Sequence, residues 1–144
     1  MNSKSIIAAV AGSITAFVLG YIFYGLLFRG FFAEHTGTAE NYMRAMDDLN
    51  LLAIFLGELA GAILLTIIFG SWGNIKTFAA GAKAGAIFGL LLALAYGLVL
   101  YGTTNAYDLT AVMFDPIIQA VRLAIVGGVI AMLLGRGGSS ESGA

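Results

Sequence analysis

"FAAGAKAGAIFGLLLALAYGLVLY", residues 78 to 101, carries a single charge, Lys83, and sets Gly81, Gly85, Gly89, Ala93 and Gly97 four residues apart. An interval of four returns to nearly the same face of an α-helix, so these small residues line up as one groove. The other positions are Ala, Leu, Ile, Val, Phe and Tyr, which makes the helix apolar all round and leaves no polar face for water. The whole chain has the same character, with 60% hydrophobic and 10% charged residues and a mean hydropathy of +0.94. A soluble domain carries about a quarter charged residues. The composition therefore predicts an integral membrane protein.

Three further runs match this one in length and character: residues 5–28, 49–69 and 111–134. Each is long enough to cross a hydrocarbon core of about 30 Å, which takes about 20 apolar residues in a helix. Helices are how such runs satisfy their backbone in lipid, so the predicted fold is all-α: a four-helix transmembrane bundle forming one domain over residues 1–135. The only proline, Pro116, falls near the start of the last run, where a missing amide donor costs little. The first run is too long for the core of a signal peptide and is read as a permanent anchor. The tail, residues 136–144, is small and polar, is expected to be flexible, and is given no functional role.

Lys4, Lys76, Lys83 and Arg136 fall at one end of such a bundle. Arg29 and Arg44 fall at the other, amid Glu34, Glu40, Asp47, Asp48 and Asp108. The excess of basic residues predicts that both termini are cytoplasmic. Trp72 would then mark the inner interface, and Phe31, Phe32, Tyr42, Tyr101 and Tyr107 the outer one. The longest connection, after Arg29, is expected to form an ordered outer cap, with "FFAEH" on the membrane surface and "TAENYMRAMDDL" as a short helix leading into the second span.

Every span repeats the small-residue spacing: Ala8, Gly12, Ala16 and Gly20 in the first; Ala53, Gly57 and Gly61 in the second; Ala120, Ala124 and Gly128 in the fourth, with Gly127, Ala131 and Gly135 beside them. In lipid no hydrophobic force drives helices together, so close backbone approach at small residues does that work. These glycines are read as helix-packing positions, with some faces left over for other subunits. "YGLLFRG" at the end of the first span and "YGLVLYG" at the end of the third make a faint internal repeat, as two hairpins related by an axis along the membrane normal would give.

Against this background Glu58, in "FLGELAGAILL", is the anomaly. It lies about 14 Å down its helix from the outer end, and Arg122 lies at about the same depth in the fourth span. A lone charge there costs at least several kcal/mol, so the two are expected to form an intramembrane ion pair. Tyr21, Tyr24, Tyr96, Gln119 and Asp115 are placed around it as a polar pocket in the outer half of the membrane. Two roles stay open for the pair: fixing helix register, or binding a small polar solute or a transported proton.

Other chemistries find little support. A net charge of −1 with scattered basic residues gives no nucleic-acid surface. The absence of cysteine removes disulfides and thiolate metal sites. His35 beside Glu34 and Glu40 is read as loop surface, so no metal and no cofactor is expected. Lys83 in "GAKAG" lacks the P-loop spacing and is read as snorkelling to the interface. "YGTTN", residues 101–105, is a polar turn. No nucleophile and base pair stands out, and the chain is not expected to be an enzyme.

The segments "FVLGYIFYGLLFRGFF" and "GAKAGAIFGLLLALAYGLVLYGTTN" resemble a group of small four-helix bacterial inner-membrane proteins of unknown function. Over residues 5–135 the resemblance implies a bacterial inner-membrane location and a four-helix fold, with no site residues to carry over. Phe23 and Tyr24 stand where that group commonly has a Trp-Tyr pair. The expected role is that of an accessory or scaffold subunit whose partners are the bilayer and other membrane proteins or copies of itself. The alternatives are a small oligomeric transporter or channel using the Glu58 and Arg122 pocket and, least supported, a membrane enzyme acting on lipid.

Overall fold

The computed structural model describes residues 1–136, and within them all regular structure is helical. The tail read as flexible lies outside the described residues from 137 onward. Helix α1 (Ser3–Gly20) starts where the Asn2 side chain accepts from the Ser5 amide at 2.9 Å, covering one of the donors a helix start leaves open. It runs without a break into a π-helical stretch, Tyr21–Leu27, in which Phe28 N donates to Phe23 O at 2.8 Å. The short helix α2 (Arg29–Glu34) follows. Helix α3 (Leu51–Ile67) is capped by Asn50 and also widens at its end, into a π-helical turn at Ile68–Trp72. Thr77 caps α4 (Phe78–Thr103), and Asp108 caps α5 (Leu109–Gly135).

With their π-helical extensions, the four long helices comprise 25, 22, 26 and 27 residues. Each is long and apolar enough to cross a membrane. The fourth starts two residues earlier than its apolar run, because Asp108 supplies the cap. Pro116, expected near the start of the run, sits inside the helix about two turns from its first residue. The expected helix leading into α3 does not form. Residues 38–50 hold only a 3₁₀ turn at Met46–Asp48, since this stretch pairs with another loop instead. Gly37 N donates to Ala106 O, Ala39 N to Asn105 O, and Asp108 N to His35 O, each at 3.0 Å. A side chain at position 37 would collide with the Asn105 carbonyl, so the close crossing requires glycine.

The four helices do not close into a square. Helix α1 packs on both α3 and α5, while α4 rests almost wholly on α5, giving the lateral order α3, α1, α5, α4. The α4–α5 contact is backbone against backbone: a Cβ at Gly81 would strike the Gly127 carbonyl, at Gly85 that of Leu123, and at Gly89 that of Gln119. Gly97 meets Val112, Gly128 meets the Phe78 ring, and Gly12 meets Ile130. Gly57 and Gly61 depart from the expected packing, because a Cβ at either would find nothing within 4 Å. They face away from α1, on the open side of α3.

Between α1, α3 and α5, toward the N-terminal end, lies an apolar core around Phe69, Val126 and Ile130. The buried hydroxyls there are satisfied within their own helices, Ser13 by Val10 O at 2.8 Å and Thr66 by Ala62 O at 2.7 Å. A second, aromatic cluster around Phe32, Ala111 and Ile118 fills the far end. A polar layer separates the two.

Candidate functional site

Arg122 is the centre of that layer and is 6% exposed. Its position on α5 points the guanidinium at the turn of α1 that precedes the π-helical stretch. Nε and Nη2 donate to the Ala16 carbonyl at 3.4 and 3.1 Å, and Nη1 donates to Gln119 Oε1 at 3.0 Å. Nη2 also donates to Glu58 Oε1 from α3, closing a salt bridge. One side chain thus ties three helices together and keeps a single Nη1 hydrogen unspent. Gly20 makes room for it, since a Cβ there would sit 3.4 Å from Nη2 and 3.6 Å from Glu58 Oε1.

Glu58 is differently placed. Its side chain keeps 21% exposure, and Oε2 has no hydrogen-bond partner among the described residues. It forms part of the floor of a cleft of about 700 Å³ that opens between α1 and α3 toward Arg29, Tyr42 and Arg44. Arg44 reaches Asp48 at 3.9 Å in an exposed pair, whereas Arg29 has no ion-pair partner among the described residues. The π-helical stretch at the end of α1 brings both Tyr21 and Tyr24 to this cleft, although Tyr21 is 49% exposed.

Two turns before Arg122 on α5, Asp115 Oδ1 accepts from the Tyr24 hydroxyl at 2.5 Å. Asp115 borders a second, smaller cavity of about 210 Å³, which shares Tyr24, Met43 and Tyr107 with the first. Those three side chains form the wall between the cavities. Tyr96 stands at the edge of the smaller one and is 70% exposed, well away from Glu58. The Tyr107 hydroxyl lies outside the long helices. Burial pushes its pKa up, and Tyr42 and Asp115 add to the shift.

The structure thus brings together Glu58, Arg122 and Gln119 in one network and Tyr24 with Asp115 in another, and leaves Tyr21 and Tyr96 at cavity edges. Sequence reasoning missed the Ala16 carbonyl, for which no local signal exists: acceptor and donor lie 106 residues apart. It also missed the loop residues Met43 and Tyr107, whose place follows from the pairing of the α2–α3 and α4–α5 loops. His35 stacks on Phe31 with ring centroids 4.3 Å apart, and its Nδ1 lies 2.9 Å from the Phe31 carbonyl. Its ring is held by its own helix turn. No protein-family model matches the chain, nor does any curated protein or solved structure. What the site does has to follow from its geometry.

Proposed function

We propose that this chain is a non-enzymatic multi-pass protein of the bacterial inner membrane, with both termini cytoplasmic, serving as an accessory or scaffold subunit. It packs sideways against another membrane protein or against copies of itself. The observation that carries this reading is the open lateral order of the helices. Helix α3 presents Gly57 and Gly61 to nothing within 4 Å, and α4 leans almost wholly on α5. Small residues that admit a backbone are what membrane helices use to associate. The Arg122 clamp fits a structural role, because nearly all its donors are spent on the protein itself. The orientation is supported by Lys4, Lys76, Lys83 and Arg136 at the N-terminal end.

Native mass spectrometry of the tagged protein, purified from its own membrane in a mild detergent, tests the reading. A stoichiometric partner or a defined homo-oligomer is expected. A monomer alone overturns it.

One observation favours a second reading, a small oligomeric transporter: the half-satisfied Glu58 carboxylate on the floor of a cleft with Arg29 near its mouth. An unsatisfied acceptor inside a membrane helix is a place for a proton or a donor group on a solute. Flux into proteoliposomes should then vanish in Glu58→Gln while the protein stays folded, and unchanged flux would remove Glu58 from any such mechanism.

A further inference from the structure

At the N-terminal end of the molecule, opposite the Glu58 cleft, lies another cavity, of about 380 Å³. The start of α1, the π-helical turn that ends α3 and the end of α5 enclose it. Lys4, Ser5, Ser71 and Lys76 line its polar side, with Thr66 and Leu134 among the residues at its back. Its shape has a cause in the backbone. The wider turn at Ile68–Trp72 displaces the chain outward, with Gly73 N donating to Ile68 O and Ile75 N to Phe69 O, both at 2.8 Å. The following loop is then held against α5, where a Cβ at Gly135 would collide with the Lys76 carbonyl. Lys76 is thereby fixed on the opposite side of the cavity from α1.

Among the described residues the charge around this cavity is of one sign. Lys4, Lys76, Lys83 and Arg136 all lie at this end, and among the described residues no carboxylate does: Glu34, Glu40, Asp47, Asp48 and Asp108 are at the far end, and Glu58 and Asp115 lie within the long helices. Neither Lys4 nor Lys76 has an ion-pair partner among the described residues. Trp72, adjoining the cavity wall, is 76% exposed. An exposed indole at a helix end settles at the depth of lipid headgroups, which puts the cavity mouth at that depth too.

We propose that this cavity is a binding site for an anionic phosphate group, with Lys4 and Lys76 as the two cationic arms and the Ser5 and Ser71 hydroxyls as neutral donors. Basic pockets between membrane helices on the cytoplasmic side hold phospholipid headgroups in this way. The same chemistry would also accept a free phosphate. The inference rests on the four helices spanning a bilayer, but not on the protein having a partner subunit.

The test uses the full chain reconstituted in phosphatidylcholine nanodiscs with increasing phosphatidylglycerol, counting retained phosphatidylglycerol by native mass spectrometry. The wild type is expected to hold the anionic lipid. Changing Lys4→Gln with Lys76→Gln should abolish the selective retention of phosphatidylglycerol over phosphatidylcholine, because both cationic arms of the cavity are lost. The control pair, Lys83→Gln with Arg136→Gln, removes the same charge outside the cavity and should have a much smaller effect. Equal loss in the two pairs, or no loss in the first, overturns the site. Displacement by millimolar inorganic phosphate, absent from the Lys4 and Lys76 variant, supports the site with a soluble source, and its failure to displace supports the lipid. An alkaline carbonate wash separates the two levels of the argument. A protein that stays in the membrane pellet but ignores phosphatidylglycerol refutes the site alone, whereas one released by the wash refutes the membrane-spanning reading beneath it.

Discussion

The α4–α5 contact and the α1–α3–α5 junction hold the same molecule together by different means. The first is long, apolar and made by removal of side chains: Gly81, Gly85 and Gly89 let one backbone lie against carbonyls of the other. The second is concentrated at one depth, where Arg122 gathers an α1 carbonyl, an α3 carboxylate and an α5 amide. Dispersion at glycine faces is additive and has little preference for one register over the next, whereas a guanidinium with fixed directions demands one geometry. The junction thus specifies the arrangement, and the glycine contact supplies area. The Glu58 cleft opens beside the specified junction, and the glycine contact borders the smaller cavity, at Gly97 and Val112.

The sharpest way to break the comparison is Arg122→Gln, which strands Glu58 without its cation. Leaving one partner of a buried pair alone costs about 3–5 kcal/mol, read as a lower unfolding midpoint in detergent. Adding Glu58→Gln should recover part of that loss, because the stranded charge disappears. If the double variant is no better than Arg122→Gln alone, the pair is not what defines the junction. On the other side, Gly85→Val drives a side chain into the Leu123 carbonyl and should cost about 1–3 kcal/mol, with α4 separating from α5 while the junction survives. Cross-linking between cysteines introduced on α4 and α5 would show the separation.

Smaller effects sharpen the picture. Tyr24→Phe removes the donor to Asp115 and should cost about 0.6 kcal/mol, the average for a polar contact between membrane helices, measured by the same unfolding midpoint. Alkaline pH should act more weakly, through the paired α2–α3 and α4–α5 loops. Tyr107 is held neutral by burial and by Tyr42 and Asp115, so its folded value lies above the unfolded one of about 10. Its contribution is fully present below that pH and is lost as pH rises through the folded value. A melting series above pH 10 should show a decline that Tyr107→Phe lacks. Gly57→Leu should leave the stability of the isolated chain unchanged within about 0.5 kcal/mol. In native mass spectrometry the same change should dissolve any assembly built on α3, and an intact assembly would move the partner face elsewhere.

Much of the fold can be read from the chain because length and apolarity are properties of segments. The four runs ended within a few residues of the helices that form, with errors where a cap (Asp108) or a π-helical turn (Ile68–Trp72) extended them. The glycine spacing in α4 was equally legible, since an interval of four defines a face whatever lies opposite. Gly57 and Gly61 show the limit of that argument: the same spacing in α3 meets no neighbour. The residues at 38–50 show another. Their local pattern favours a helix, but backbone pairing between Gly37, Ala39 and the 105–106 turn takes the chain elsewhere.

The sequence by itself therefore determined the number of long apolar helices, the asymmetry of charge between their ends, and the shared level along the helices at which Glu58 and Arg122 meet. These follow from composition and from a fixed rise per residue. Only the tertiary structure decided the lateral order α3, α1, α5, α4, the recruitment of the Ala16 carbonyl, the pairing of Tyr24 with Asp115, and which glycine faces stay open. In an apolar chain every helix face is nearly as hydrophobic as every other. The choice among faces is made by steric fit and by a few directed hydrogen bonds, and neither exists until the helices meet.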